Sequence, residues 1–238
     1  MPYTLSHAVV SLPVSWLSQK RIPFAALAIG SMSPDFPYLI ALAPTTAPGH
    51  SITGVLLYCF IPALLLTLLW YRWLEKPTLE LWHLPKRQQL QAYPSMLAVA
   101  LGVLLGAYSH VLWDATSHVD GFFVQSSGFW QQVYFSLPLY KWNQYASGVS
   151  GLVVLSLWYL INLMKNRKEP YIGHPFIGGV VYMVSVSTVV AVANISHESG
   201  SVAQYAVHSA LAVITGGFVA VCVYALVVPR INRKPSLQ

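Results

Sequence analysis

Charged side chains are scarce in this sequence. Asp, Glu, Lys and Arg make up 8% of the 238 residues, whereas about 25% is usual in soluble domains. Hydrophobic residues make up 55% of the chain, and its mean hydropathy is +0.56. This composition excludes an ordinary water-soluble domain and predicts an integral membrane protein.

Cysteine is also rare. The two cysteines, Cys59 and Cys222, both fall in long apolar runs, so we expect neither a structural disulfide nor a cysteine metal site. The first apolar run has no basic segment before it and no small-residue cleavage site, which argues against a signal peptide. No nucleotide-binding loop and no Ser/His/Asp order stands out.

Long apolar runs are the main feature that is present. Five are long enough to cross a bilayer, which takes about 20 helical residues: 51–73, 94–113, 147–164, 175–196 and 202–228. A sixth, 22–43, is interrupted by Ser-Pro-Asp-Phe-Pro, and a seventh, 5–18, has only fourteen residues. The pattern predicts an all-α polytopic membrane bundle of six or seven segments. We expect a single integral membrane domain over 1–238, with a short basic tail at 229–238.

The basic residues predict the orientation of these segments. If the segments alternate in direction, twelve of the thirteen Lys and Arg residues fall on one side and Lys141 alone on the other. The positive-inside rule then puts the N-terminus outside and the C-terminus in the cytoplasm. The pI near 9.3 therefore reflects orientation, and we expect no nucleic-acid partner.

This orientation gathers histidines and carboxylates on the outer side. Asp35 and His208 lie within apolar sequence, where a charged group costs at least about 2.5–3.5 kcal/mol unless it is paired or solvated. A polar pocket toward the outer face would accommodate them. The outer residues are His7, Asp35, His50, His110, Asp114, His118, Asp120, His197, Glu198 and His208. The cytoplasmic ones, interpreted as solvated loop residues, are Glu75, Glu80, His83, Glu169 and His174.

The spacing of His110, Asp114 and His118 is typical of metal ligands on a helix. Residues four apart lie on one helical face, and such pairs can hold one ion. On an unbroken helix the first and last would be about 12 Å apart. A metal site therefore needs two ions around Asp114, or a helix that breaks. The alternative is a helix end with polar residues near lipid headgroups.

The interruption at Ser33-Pro34-Asp35 predicts a broken helix. Pro34 lacks a backbone donor and disfavours helix at Ser33, which is a good N-cap residue, so we expect a new helix to begin at Asp35. A helix broken at membrane depth can line a cavity. Alternatively, Asp35 only stabilises a helix N-terminus.

The order of these motifs resembles a known family. Ser6-His7, Gly30-Ser-Met-Ser-Pro-Asp35, His50-Ser51 and the stretch His110 to Gly121 resemble the DUF4184 family of bacterial membrane proteins. That family is similar to YdjM-like inner-membrane proteins described as predicted metal-dependent hydrolases. More distantly, the series is similar to zinc-dependent phospholipase C, whose His and Asp side chains hold a zinc cluster. The matching residues are His7, Asp35, His50, His110, Asp114 and His118.

Two departures affect the later ligands of the phospholipase pattern. Phospholipase C has a longer gap between its His-x-x-x-Asp motif and the next histidine than the three residues that precede His118. Its later His/Glu pair is separated by three residues, whereas His197 and Glu198 are adjacent. The roles of His197, Glu198 and His208 therefore stay open.

The resemblance implies a membrane-embedded metal-dependent hydrolase in the bacterial inner membrane. Its substrate would be a phosphoester, with a membrane lipid headgroup the expected one, cleaved at the outer face. Zinc is the expected cofactor, with one to three ions, and Mn or Fe are alternatives. Asp35 and Asp114 are the expected catalytic carboxylates, Asp35 as a ligand or general base, and Asp120 would orient His118.

Two other functions stay open at this point. An ion- or proton-coupled transporter would use Asp and His as a relay, but it would need ionisable groups through the full membrane depth. A structural membrane protein would use the metal only to hold its helices together, in a closed site with no open coordination position. In each case, we expect the aromatic loop 114–145 to lie along the outer interface.

Overall fold

The computed structural model describes residues 4–46, 48–82, 84, 94–165 and 175–231. These residues are predominantly helical, which confirms the predicted all-α bundle. Their contacts divide them into two compact units. The first lies within Met1–Phe36, Thr46–Leu68 and Ala92–Trp158, and the second within Pro37–Thr45, Leu69–Gln91 and Tyr159–Gln238.

Five helices in the described ranges are long and apolar enough to cross a membrane: Ile52–Leu81, Met96–Asp114, Leu139–Lys165, Phe176–Ser196 and Val202–Val227. Each contains most or all of one of the five long apolar runs of the sequence. The membrane-protein prediction is thereby confirmed. The shorter N-terminal run is helical over Thr4–Leu17, close to the predicted 5–18.

The helices and strands have the following bounds. A 3₁₀ helix at Thr4–Val10 precedes α1 (Ser11–Leu17), α2 (Phe24–Met32), a 3₁₀ turn (Ser33–Asp35), α3 (Phe36–Ala41) and α4 (Ile52–Leu81). Within α4, two stretches are π-helical, Val55–Cys59 and Trp70–Leu74. Then follow α5 (Met96–Asp114), α6 (Phe122–Ser126), α7 (Gly128–Gln131), β1 (Val133–Tyr134), β2 (Leu137–Pro138), α8 (Leu139–Lys165), α9 (Pro175–Ser196) and α10 (Val202–Ile231).

Glycines let α2 and α5 approach closely in the first unit. A Cβ on Gly30 would collide with the Val103 backbone, and a Cβ on Gly106 would collide with the Leu27 carbonyl oxygen. Small residues of this kind allow backbone contact between membrane helices. This contact fixes the C-terminal ends of α2 and α5 side by side, where the polar residues lie.

The Ser-Pro-Asp segment corrects one prediction. Ser33 has helical dihedrals (φ −65°, ψ −31°) rather than the extended ones of an N-cap, and its hydroxyl donates to the Gly30 carbonyl. The chain continues from α2 through a single 3₁₀ turn, and α3 begins at Phe36, one residue later than predicted. Asp35 is therefore held inside a tightened helical turn rather than in the first turn of a new α-helix.

The segment after α5 is compact and rich in aromatic residues. It contains α6, α7 and a two-stranded antiparallel hairpin in which Val133 pairs with Pro138 and Tyr134 with Leu137. Residues 121–140 include no charged side chain. Phe122, Phe129 and Phe135 are largely exposed, and Phe135 at the hairpin turn reaches 92%.

The second unit is built on the pairing of α9 and α10. A Cβ on Gly216 would lie 2.7 Å from the Val186 Cα atom, so the two helices are in close contact. Thr215 on α10 donates to the Leu39 carbonyl at 2.8 Å, and Tyr159 donates to the Trp82 carbonyl at 3.1 Å. These bonds attach the shorter segments of this unit to its long helices.

Candidate metal centre

His110 is the buried centre of a group of polar side chains in the first unit. Its side chain is fully buried, and its Nδ1 lies 2.6 Å from the Ser31 carbonyl oxygen. Because a carbonyl can only accept, Nδ1 carries a proton, and Nε2 is the ring nitrogen that could bind a metal. A backbone partner of this kind commonly fixes the tautomer of a metal-ligating histidine.

Three side chains meet His110 Nε2 at this point. The Nε2 atom of His50 lies 3.2 Å away, Asp114 Oδ2 lies 3.2 Å away, and Asp35 Oδ1 lies 3.6 Å away. His50 Nε2 is in turn 3.2 Å from Asp35 Oδ1 and 3.3 Å from Asp114 Oδ2. We call these four residues the primary cluster.

The spacing within the primary cluster resembles that of a tetrahedral metal site. Ligands about 2.0–2.1 Å from zinc lie about 3.3 Å from one another. Five of the six separations among the four ligand atoms are 3.2–3.6 Å, and the ligand atoms of Asp35, His50 and His110 all lie within 4.8 Å of one another. The donor set, two imidazoles and two carboxylates, suits zinc and also Mn or Fe.

Asp114 also faces a second pair of histidines. Its Oδ1 lies 3.5 Å from His7 Nε2 and 3.4 Å from His118 Nδ1. We call Asp114 Oδ1, His7 and His118 the secondary group. The helix α5 ends at Asp114 and the chain turns back, which carries His118 toward the carboxylate. The helix thus breaks where the predicted metal spacing requires it.

Several atoms at the centre of this site lack hydrogen bonds. Within the described part of the chain, both ring nitrogens of His7 and Asp114 Oδ1 are buried without a hydrogen-bond partner. The His7 ring stacks on His110, with centroids 3.8 Å apart, so its position is fixed by packing. Burying an unpaired carboxylate oxygen is costly. A cation held by the same carboxylate, or an N–H directed at Oδ1, would offset that cost, so the burial of Asp114 fits a metal ion bound beside it.

A neutral threonine supports Asp35. The Thr4 hydroxyl donates to Asp35 Oδ2 at 2.6 Å, which leaves Oδ1 directed at the primary cluster. Sequence reasoning missed Thr4 because one threonine in an apolar segment carries no distinctive signal. Its position one helical turn before His7 is the available hint.

His50 shows how the cluster behaves toward positive charge. Burial alone lowers the pKa of this imidazole, but hydrogen bonds to Asp114 and Asp35 outweigh burial and raise the pKa to about 10. The pair of carboxylates thus stabilises a cation at the point where a metal would bind. The His50 side chain is 24% exposed, so the cluster is accessible from solvent on that side.

The orienting role of Asp120 toward His118 stays a prediction. Asp120 is exposed, and in the described residues no hydrogen bond joins it to His118. His118 instead contacts Ser117 Oγ at 3.3 Å and Gln144 Nε2 at 3.1 Å. The helix has ended before the chain reaches Asp120. The Asp120 carboxylate therefore does not continue the face of α5 that carries His110 and Asp114. Sequence reasoning missed Gln144, a neutral residue from a distant helix.

The residues whose roles the sequence leaves open belong to the second unit. His208 Nδ1 lies 2.7 Å from Ser199 Oγ, and Ser199 donates to Asn194 Oδ1 at 2.9 Å. His197 Nε2 lies 2.8 Å from the Ala41 carbonyl. Glu198 is exposed, with a left-handed φ of 46°. His83 and His174, predicted to be cytoplasmic, lie outside the described residues.

Comparison with known proteins finds a family match. A family model described as a domain of unknown function (DUF4184) matches residues 1–229. No curated protein and no solved structure matches the chain.

Proposed function

Because the chain belongs to the DUF4184 family, whose description leaves the activity open, we propose a function from the site itself. We propose that the protein is a membrane-embedded, metal-dependent hydrolase of a phosphoester. Its substrate is a lipid headgroup, and its site faces the periplasmic side of a bacterial inner membrane.

One observation carries this proposal. Asp35 Oδ1, His50 Nε2 and Asp114 Oδ2 lie 3.2–3.6 Å from His110 Nε2, and the ligand atoms of Asp35, His50 and His110 all lie within 4.8 Å of one another, a spacing suited to ligands of one ion. Zinc bound there would supply a water of lowered pKa and polarise a phosphoryl oxygen. The partial exposure of His50 favours a catalytic site over a closed structural one, because a substrate needs access.

The residues of the cluster have separate roles in this proposal. His110 holds its proton on Nδ1 through the Ser31 carbonyl, so Nε2 is kept as a ligand. Asp114 is the central carboxylate, because its two oxygens face different groups of histidines. Asp35 keeps one oxygen on Thr4, so Oδ1 is the atom that ligates the metal or accepts a proton.

Two features support a lipid substrate. His110 and Asp114 occupy the last turn of a helix that is apolar enough to span a membrane. The following segment, 121–140, is uncharged and exposes Phe122 and Phe135, as expected at a membrane interface. The substrate phosphate would then meet the cluster at headgroup depth.

The decisive experiment compares two carboxylate variants. We expect Asp114→Asn to lose bound zinc and phosphoester turnover together, because an amide oxygen is uncharged and a weaker ligand. Asp120→Asn is the matched control: Asp120 is exposed and six residues away in sequence, so this variant keeps both properties. Zinc content and turnover of a panel of phospholipids and soluble phosphoesters are measured on the purified proteins.

The outcomes separate the rival functions. Full turnover in Asp114→Asn would overturn the hydrolase proposal. Zinc bound by the wild-type protein, without turnover of any phosphoester in the panel, would indicate a metal that only holds the helices together. Circular dichroism and gel filtration of Asp114→Asn show whether its losses come from misfolding.

A further inference from the structure

A series of hydrogen bonds connects the secondary group to Lys141, the one Lys or Arg residue that the sequence places on the predicted outer side. Lys141 Nζ donates to Gln144 Oε1 at 2.8 Å, and Gln144 Nε2 lies 3.1 Å from His118 Nε2. Both Lys141 and Gln144 lie in the first turns of α8. The Gln144 side chain is buried, at 1% exposure, which limits the access of water to its amide.

The direction of both hydrogen bonds follows from the lysine at one end of the series. A lysine ammonium can only donate, so it fixes the carbonyl oxygen of Gln144 on its own side. The amide nitrogen of Gln144 then faces His118, and an amide nitrogen can only donate. His118 Nε2 must therefore accept. An imidazole ring whose Nε2 accepts carries its single proton on Nδ1.

This proton points into the secondary group. His118 Nδ1 lies 3.4 Å from Asp114 Oδ1 and 3.3 Å from Ser117 Oγ. A histidine ligates a metal through a nitrogen lone pair. The lone pair on Nε2 faces the Gln144 amide, and Nδ1 carries a proton, so neither nitrogen is available to a metal.

We propose that Lys141 and Gln144 are positioning residues that hold the His118 proton on Nδ1, so that His118 directs an N–H at Asp114 instead of ligating metal. The functional meaning of this inference rests on the proposed metal centre. With His118 excluded, the secondary group offers only His7 and Asp114 Oδ1. His110, whose ligand atoms lie within 4.8 Å of theirs, already belongs to the primary cluster, so fewer ligands remain than the three or four of zinc sites. The protein then binds one ion tightly, in the primary cluster.

The test measures the tautomer directly. In full-length, metal-free protein labelled with ¹⁵N-histidine, nitrogen chemical shifts distinguish Nδ1–H from Nε2–H rings, and the His118→Gln variant identifies the His118 signals. We expect the Nδ1–H form in the wild-type protein. Gln144→Glu places an acceptor against Nε2 and should convert His118 to the Nε2–H form.

Variants of Lys141 supply the controls. Lys141→Met frees the Gln144 amide to rotate and should give a mixture of tautomers. Lys141→Arg keeps a donor and should preserve Nδ1–H. An Nε2–H ring in the wild-type protein, or an unchanged ring in Gln144→Glu, would overturn the inference.

Zinc content provides a second measurement. We expect one ion per wild-type chain, retained in His118→Gln and lost in His110→Gln; a loss of zinc in both variants would contradict the inference. The tautomer measurement needs neither metal nor substrate. If the tautomers are as expected but the protein binds no zinc and turns over no phosphoester, the proposed function is refuted and the assignment of the His118 proton stands.

Discussion

The two carboxylate oxygens of Asp114 face different histidines. Oδ2 lies 3.3 Å from His50 Nε2, whereas Oδ1 lies 3.5 Å from His7 Nε2. An ionised carboxylate can accept on both oxygens, so one residue can organise two sets of imidazoles. Its neighbour Asp120 is also a carboxylate but is exposed, so the chemistry of Asp114 depends on burial among histidines rather than on residue type.

Thr4 gives a prediction at the scale of a single residue. Thr4→Val keeps the shape of the side chain but removes the hydrogen bond to Asp35 Oδ2. Asp35 is then free to rotate and to take other contacts. We expect zinc affinity to fall about 10–100-fold, as is typical when a partner of a metal ligand is lost. Competition with a zinc chelator measures the change.

A second buried threonine provides the control. Thr67 donates to the Ala63 carbonyl of its own helix, and in the described residues no hydrogen bond joins it to the cluster. Thr67→Val should leave zinc affinity within about twofold of wild type. Equal losses in the two variants would contradict the role assigned to Thr4.

The same residues show what a sequence can reveal about the site. His110 and Asp114 were predictable because a four-residue spacing defines one helical face. The contact of His118 with Gln144 was not predictable, because the helix ends at Asp114 and Gln144 approaches from another helix. Thr4 and Gln144 are neutral, and no spacing within one element distinguishes them from other polar residues.

At the scale of elements, the contact between α2 and α5 positions the cluster. Gly30 on α2 precedes Ser31, whose carbonyl fixes His110, and a Cβ on Gly30 would strike the Val103 backbone. Gly30→Ala should therefore push the helices apart, with a destabilisation of about 1–3 kcal/mol. We expect a lower thermal unfolding temperature in detergent and weaker zinc binding.

Another helical glycine is the control for this prediction. Gly179 lies within α9, and a Cβ added there would meet no heavy atom within 4 Å. Gly179→Ala should be neutral or slightly stabilising, since alanine has the higher helix propensity. If Gly30→Ala unfolds at the same temperature as Gly179→Ala, close packing at Gly30 is not required.

The elements were more predictable than the site. The apolar run 175–196 coincides with α9, because a long hydrophobic run has one stable form in a bilayer, the helix. The Ser33 N-cap prediction was wrong because α2 continues through a 3₁₀ turn, in which the Ser33 hydroxyl bonds back to Gly30. Local propensity alone does not decide between a cap and a tightened turn.

At the scale of the whole molecule, the predicted orientation puts the cluster and the basic residues at opposite ends of the helical segments. His7 lies near the start of the N-terminal helical segment, and Asp114 lies at the end of α5. Alternating segments bring these ends to one side, and the two side chains are in contact in the first unit. The described basic residues Lys20 and Arg21 lie at the opposite end of the N-terminal segment, as the positive-inside rule requires if the cluster is outside.

Cysteine labelling in intact cells tests this orientation. In a background in which Cys59 and Cys222 are replaced by alanine, we examine Phe135→Cys and Arg21→Cys. Phe135 is 92% exposed at the hairpin turn and Arg21 is exposed after α1, so reagent can reach both positions. A membrane-impermeant maleimide should label Phe135→Cys in intact cells and Arg21→Cys only after permeabilisation. Arg21→Cys removes one of twelve basic residues from its side, too few to reverse the charge asymmetry. If the two positions label from the same side, the cluster cannot be assigned to the outer face, and a periplasmic lipid headgroup is excluded as its substrate.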